Sequence, residues 1–378
     1  MRQPAHGGNL AWAAALAGCP PDAILDFSAS ISPLGPPNSA IAAIKSQIGN
    51  LKHYPDPNYS ELRLALSHFH QLPPEWILPG NGSAELLTLV GRELAQLAAT
   101  ILITPAFGDY YRTLAAYNAK VLECPLSLVI GHWSLVLSFA VGAASGREVL
   151  IIDKGQRTKD KGLLLNNPHN PTGKLFSRDS ILPYLEQFAL VVVDEAFMDF
   201  VPPNDEQSLI PVVQEYANLV VLRSLTKFYS LPGLRLGYAI AHPDCLAKWQ
   251  LWRDPWPVNT LAAAAAIAAL QDTEFQQQTW AWLPPARNQL FQDLAKIPGL
   301  QPQASAANFL LVESQESTLL LQQQLLKHHQ ILIRDCLSFK ELGDRFFRVA
   351  VREESDNQRL LTALNSVLSG EWGVGNGE

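Results

Sequence analysis

The chain has 378 residues, 48% hydrophobic and 17% charged, which is enough apolar material for a large core and excludes a wholly disordered chain. Lys and Arg total 28 against 35 Asp and Glu, a formal net charge of -7. With no long polybasic stretch, a nucleic-acid partner held by phosphate neutralisation is not expected. The four cysteines, Cys19, Cys124, Cys245 and Cys336, form no CxxC pair or metal-ligand cluster, so no metal is expected and a reducing compartment fits best. The opening MRQPAHGGNL lacks the features of a secretory signal, so the expected location is the cytoplasm.

In chain order, residues 1–44 hold a short alanine-rich helix pattern, AWAAALAG, and a Pro/Gly/Ser-rich stretch, DFSASISPLGPP, that reads as an extended arm. From about 60, short aliphatic runs alternate with helical patterns, as an α/β fold with a mostly parallel sheet requires. The strand candidates are TILIT (100–104), EVLIID (148–153), KGLLLNN (161–167), LVVVDEAF (190–197), NLVVLRSL (218–225) and LGYAIA (236–241). They are continuously apolar rather than alternating, which predicts helices on both faces of the sheet. The apolar window 126–144 is about as long as a membrane span but carries His132, Trp133 and serines; it reads as buried strand plus helix, and no membrane partner is expected. LAAAAAIAAL (261–270) and the Gln-rich helix after it read as a connector. The rest alternates helix and strand as a smaller α+β unit: QLFQDL, ANFLLVES, STLLLQQQLLKHH, ILIRD, RFFRVAV and a helix from Asp356. The expected units are an arm over 1–44 packed with the small domain, a large domain over 45–265 and a small domain over 266–378.

Five signals sit at strand ends or turns, where open α/β sheets build their sites. In PGNGSAELL (79–87) a turn hands over to a helix at Ala84. The backbone N–H groups of Ser83 and Ala84 there either cap the helix or bind a phosphate. In NNPHNPTG (166–173) two prolines restrict the loop so that the Asn170 amide can be held in one orientation. Asp194 ends an apolar strand, where a carboxylate needs a partner, either a structural cation or a protonated ring nitrogen. In SLTKFYSLPGLRLGY (224–238), Ser224, Thr226 and Arg235 can hold a dianionic phosphate, and desolvation can lower the Lys227 amine enough for imine formation. Arg334 in ILIRD and Arg348 in FFRVAV lie in apolar strands and need anions, from structural salt bridges or from a substrate. AHGGN brings His6 and two glycines, with room for a small anion.

Together, NPTG at 170–173, DEAF at 194–197, SLTK at 224–227 and GLRLGY at 233–238 resemble the fold-type I pyridoxal-phosphate enzymes nearly end to end. Within them the chain is similar to the histidinol-phosphate aminotransferase branch. It is more similar still to the threonine-phosphate decarboxylases of cobalamin biosynthesis, through AHGGN (5–9), LDFSASISPLG (25–35), PWPVN (255–259) and RVAVREESDNQRL (348–360).

The resemblance implies pyridoxal 5'-phosphate carried on Lys227, with Asp194 on the ring nitrogen, Asn170 on the ring hydroxyl and Phe107 stacked on the ring. The cofactor phosphate would sit on Ser83, Ala84, Ser224, Thr226 and Arg235. Tyr54 would reach in from a second subunit of a homodimer. For a small phosphorylated amino-acid substrate, Arg348 would grip the carboxylate, with His6, Gly7 and Arg334 on the phosphate and Ser30 and Asn170 nearby. The implied reaction is decarboxylation of L-threonine O-3-phosphate, with transamination as the alternative. The chain departs from the family's pattern at Phe197, where many aminotransferases have tyrosine, at Ser30, where asparagine is usual, and over 126–160.

Overall fold

A computed structural model describes residues 7–129, 132–134 and 159–370. The expected strand at 148–153, most of the apolar window at 126–144 and His6 lie outside the described residues. Among the described residues seven strands form the main sheet: β1 (Ile77–Asn81), β2 (Ala99–Thr104), β3 (Val121–Pro125), β4 (Lys161–Asn166), β5 (Leu190–Asp194), β6 (Leu219–Ser224) and β7 (Leu236–Ala241). Their order is β1-β7-β6-β5-β4-β2-β3. Strands β2 to β6 run parallel, and β7 is antiparallel to both β1 and β6.

The continuous apolar runs follow from burial on both faces. Val191, Val193, Val221, Leu163 and Leu165 pack into one core layer, while the intervening Val192, Val220, Leu222 and Leu164 pack into the layer on the opposite face. Each such side chain contributes roughly 1.5–3 kcal/mol when fully buried, so both faces of the sheet centre help to hold the fold. Its parallel strands all end on one edge, at Thr104, Asn166, Asp194 and Ser224.

Two strands of the main sheet escape the sequence reading. β1 spells ILPGN and reads as a turn, yet it pairs with Leu236–Ile240; as an edge strand it tolerates Pro79, whose nitrogen has no hydrogen to give. The helix after it starts at Gly82 and runs to Leu94. β3 is only partly buried, and its mixed VLECP composition hides it.

The C-terminal part holds a four-stranded antiparallel sheet of Leu300–Pro302, Phe309–Ser314, Phe346–Ala350 and Arg334–Asp335, in that spatial order. ILIRD is split: Ile331–Leu332 pairs in parallel with Leu25–Asp26 of the N-terminal segment, and Arg334–Asp335 pairs with Phe347 and Arg348. The helix Leu10–Ala17 also packs on the helix Thr318–His329, whereas Asn38–Gln47 packs on Thr260–Gln271. The Gln-rich segment is one helix, Thr273–Ala295, with Pro284 and Pro285 inside it. The last helix begins at Glu354. Among the described residues no helix is long and apolar enough to cross a membrane.

Candidate active site

The parallel strand ends open into a cavity that also receives the N-terminal segment and the C-terminal sheet. Lys227, Asp194, Asn170, Phe107, Ser224 and Thr226 line it, and so do Ser83, Ala84, Arg235, Arg348, Gly7 and Ser30. Two of the sequence candidates stand elsewhere. Tyr54 is 78% exposed and stacks on Trp256, with ring centroids 4.5 Å apart. Arg334 lines a small adjoining cavity, which shares Gly7 and Ser28 with the first.

One end of the main cavity is a ready anion cradle. The helix Gly82–Leu94 presents its first turn there, with Ser83 and Ala84 on the cavity wall. The Ser224 and Thr226 hydroxyls lie 2.7 Å apart, both buried. Arg235 adopts a left-handed backbone (φ 60°), and one of its guanidinium N–H groups donates to the Pro232 carbonyl at 3.1 Å. Two glycines make the close approach possible. A Cβ on Gly82, at φ +72°, would lie 2.6 Å from Arg235 Nη2, and one on Gly237 would lie 2.7 Å from the Ser83 nitrogen.

Lys227 follows β6, half-buried beside two cations. Burial comes first, then the charges of Arg348 and Arg235; together they lower its amine to about 8 against the pull of Asp194 and Asp26. An appreciable fraction is therefore neutral and nucleophilic near neutral pH. Asp194, on the neighbouring strand end, accepts from the Tyr110 hydroxyl at 2.8 Å on Oδ2 and from the Ala196 N–H at 3.0 Å on Oδ1. Burial pushes its carboxyl up; the Tyr110 bond, the Ala196 bond and Lys227 pull the other way.

Asn170 sits in its proline-bounded loop with Oδ1 accepting from Arg348 Nη1 at 2.5 Å, while Arg348 Nη2 donates to the Ser28 carbonyl at 3.0 Å. That fixes the amide so that its NH2 is left to donate. Arg348 Nε has no partner, and neither does the Ser30 hydroxyl, which is only 1% exposed. Buried donors without partners are costly unless a ligand takes them. Burial, then the neighbouring Arg334, lowers Arg348 to about 10.

Arg334 and Arg348 are direct cross-strand partners. Like charges opposite each other on one sheet face repel unless anions lie between or beyond them. Arg334 Nη2 donates to Ser338 Oγ at 2.7 Å, and Nη1 lies 3.9 Å from Asp335 Oδ2. The N-terminal segment closes over this region through Ser28, whose hydroxyl donates to Asp26 Oδ1 at 2.6 Å and accepts the Gly8 N–H at 2.8 Å.

Behind the site, Arg223 binds Glu195 at 3.0 Å, Asp199 at 2.5 Å and Glu206 at 2.7 Å. Because successive strand residues face opposite sides, this buried network braces Glu195 and Arg223 while the adjacent Asp194 and Ser224 face the cavity. Sequence reasoning singled out neither the network nor Tyr110, Asn166 or Ser28. The carboxylate-rich stretch after Asp194 was a usable signal for the network; for Tyr110, an aromatic one turn past Phe107 is indistinguishable from ordinary core.

These donors fit pyridoxal phosphate. A phosphate cradle, a desolvated amine, a buried carboxylate and a fixed amide surround one cavity, with the Phe107 ring beside them.

The chain is 39% identical over 376 residues to the threonine-phosphate decarboxylase of Salmonella typhimurium, covering 97% of each chain. It is 33% identical over 343 residues to the histidinol-phosphate aminotransferase of Symbiobacterium thermophilum, covering 89% of this chain and 88% of that one. The crystal structure of histidinol-phosphate aminotransferase from Sinorhizobium meliloti in complex with pyridoxal-5'-phosphate shares its fold, with a TM-score of 0.82 at 23% identity, covering 96% of this chain and 95% of that one. The aminotransferase class I and II family matches residues 22–364, and the chain belongs to that family.

Proposed function

We propose that this chain is a pyridoxal-phosphate-dependent decarboxylase that converts L-threonine O-3-phosphate to (R)-1-amino-2-propanol O-2-phosphate and CO2. The observation that carries the reading is the cross-strand pair Arg334 and Arg348, buried side by side at two adjoining cavities. It asks for a short substrate with two anions at once, a carboxylate and a phosphate. Histidinol phosphate, the amino donor of the alternative reaction, has a phosphate but no carboxylate, and the 2-oxoglutarate of its second half has two carboxylates but no phosphate. The 39% identity to a threonine-phosphate decarboxylase supports the same choice.

Bound pyridoxal phosphate supplies an electron sink for the charge that develops at Cα. The residues of the chain do the rest. Lys227, part neutral at working pH, supplies the amine that holds the cofactor and that the substrate amine replaces. Its Nζ, once protonated, or a water would return a proton to Cα after CO2 has left. Asp194 would hold the ring nitrogen and Asn170 Nδ2 the ring hydroxyl, while Ser83, Ala84, Ser224, Thr226 and Arg235 would hold the cofactor phosphate. Arg348 would grip the substrate carboxylate, and its hydrogen bond to Asn170 would couple that grip to the residue that would hold the cofactor's ring hydroxyl. Arg334, Gly7, Ser30 and His6 take the substrate phosphate side.

The working unit in this reading is a homodimer with shared sites, formed from the arm 1–44, the large domain 45–265 and the small domain 266–378. Exposed Ile48, Leu51, Tyr54, Leu251 and Trp256 supply an apolar surface for a second copy, whose Tyr54 completes the cofactor-phosphate site. The test supplies loaded enzyme with L-threonine O-3-phosphate and no oxo acid. Sustained CO2 and aminopropanol phosphate in equal amounts are expected. Turnover of histidinol phosphate that needs 2-oxoglutarate, with no CO2, would replace the reading by transamination.

A further inference from the structure

We propose that Tyr110 is a positioning residue that keeps Asp194 an anion, so that the proton the two ring-side groups compete for rests on the cofactor's ring nitrogen. The inference takes from the functional reading only that a pyridoxal ring faces Asp194. It stands on contact geometry. The Tyr110 hydroxyl donates to Asp194 Oδ2 at 2.8 Å, both side chains are buried, and the other carboxylate oxygen is occupied by the Ala196 N–H. The phenol rises from the helix Gly108–Ala116, directly after Phe107, and meets the Phe107 ring edge to face at 5.7 Å. One residue thus braces two of the side chains that surround the ring.

A carboxylate and a pyridine nitrogen have similar appetites for a proton, and the carboxylate gains in a dry site because burial favours its neutral form. Each hydrogen bond donated to the carboxylate lowers that appetite. Tyr110 gives such a bond without surrendering its own proton, since burial and the charge of Asp194 push its phenol well above the ordinary range. The other charges facing the pair act in known directions: Lys227 favours the Asp194 anion, and Asp109 acts on the phenol as a second negative charge. Glu195, next in the chain, is turned away and held by Arg223, Ser208 and the Leu209 N–H. Arg235 and Arg348 act on Lys227 rather than on the pair. Removing the phenol hydroxyl therefore hands the shared proton towards Asp194 and weakens the electron sink without touching the substrate's anchors.

The experiment follows the Asp194 carboxyl by 13C NMR in the full-length chain, assigned with Asp194→Asn and titrated before cofactor loading. Tyr110→Phe is expected to move its midpoint up by about one pH unit or more, a tenfold change in proton affinity. Replacing Tyr110 with 3-fluorotyrosine, nearly the same shape but a stronger donor, is expected to move it down. In the loaded enzyme Tyr110→Phe is expected to lower kcat about tenfold and to leave KM for the phosphorylated amino acid within about twofold. A midpoint unmoved by both replacements overturns the proposal and leaves Tyr110 as packing alone. Should Tyr110→Phe fail to fold, the fluorotyrosine chain decides by itself. The titration needs no substrate, so its failure leaves the decarboxylase reading standing, and an absence of CO2 release leaves the titration result standing.

Discussion

Lys227 is the residue whose chemistry depends most on its surroundings, and Arg348 offers a way to perturb it from outside. An ordinary lysine at 10.5 is about 0.1% neutral at pH 7.5, whereas at about 8 the neutral fraction is about one quarter. The difference, about 3.4 kcal/mol between the two protonation states, comes first from burial and next from Arg348. Arg348→Gln removes that neighbouring charge and keeps an amide that can still donate to Asn170. The pH midpoint for uptake of pyridoxal phosphate by the unloaded protein, followed by stopped-flow absorbance of the lysine-bound form, should rise by roughly 0.5–1. Arg348→Lys, which keeps the charge, should leave it in place. Both variants lose the planar fork and should lose about 100-fold or more in kcat/KM, close to 3 kcal/mol for a charge-assisted bidentate contact. A midpoint that stays or falls in Arg348→Gln would refute the assignment of Arg348 as a cause of the depressed amine.

Other expectations follow from the same groups. Lys227 has a lower value folded than unfolded, so between about pH 8 and 10.5 the unfolded chain holds more proton and stability rises with pH; below pH 8 the unloaded protein bears the whole cost, and Lys227→Met should add about 2–3 kcal/mol by urea denaturation at pH 7, fading above pH 10.5. His169 is buried with Nε2 unpartnered and Nδ1 on Thr172 Oγ1 at 2.8 Å, and burial lowers it to about 3. Stability from its neutral form is therefore intact above 6.5 and lost as pH falls towards 3, at up to about 1.4 kcal/mol per pH unit; His169→Gln should flatten the urea midpoint between pH 6.5 and 4. Mixing Lys227→Ala with Tyr54→Ala should restore about a quarter of the native sites, since half of randomly paired dimers carry one intact site, and mixtures as inactive as their components would remove Tyr54 from the partner's site.

Much of this was legible because the chemistry sits on strands buried on both faces. β2, β4, β5, β6 and β7 announce themselves as apolar runs, and the polar residues Asp194 and Ser224 at their ends stand out against that background. The N–H groups of Ser83 and Ala84 were legible as a helix start, although the preceding edge strand with its proline and glycine was not. What the sequence could not display are relations across the fold. Nothing in ILIRD says that Leu332 and Arg334 join different sheets, or that Arg334 faces Arg348. Tyr110 reads as one more core aromatic until its hydroxyl is seen on Asp194. The Arg223 network escaped for a similar reason: nothing in NLVVLRSL says that three carboxylates from the 195–206 segment surround its arginine.

The central claim is that the bond broken at Cα is the one to the carboxylate, held by Arg348, and the most direct measurement follows the hydrogen on that carbon. Turnover of [2-2H]-L-threonine O-3-phosphate in ordinary water should give aminopropanol phosphate that keeps the deuterium and gains one solvent hydrogen at the same carbon, read by mass spectrometry and NMR. Deuterium washed out into solvent, with the carboxylate carbon retained in an oxo-acid product, would contradict it.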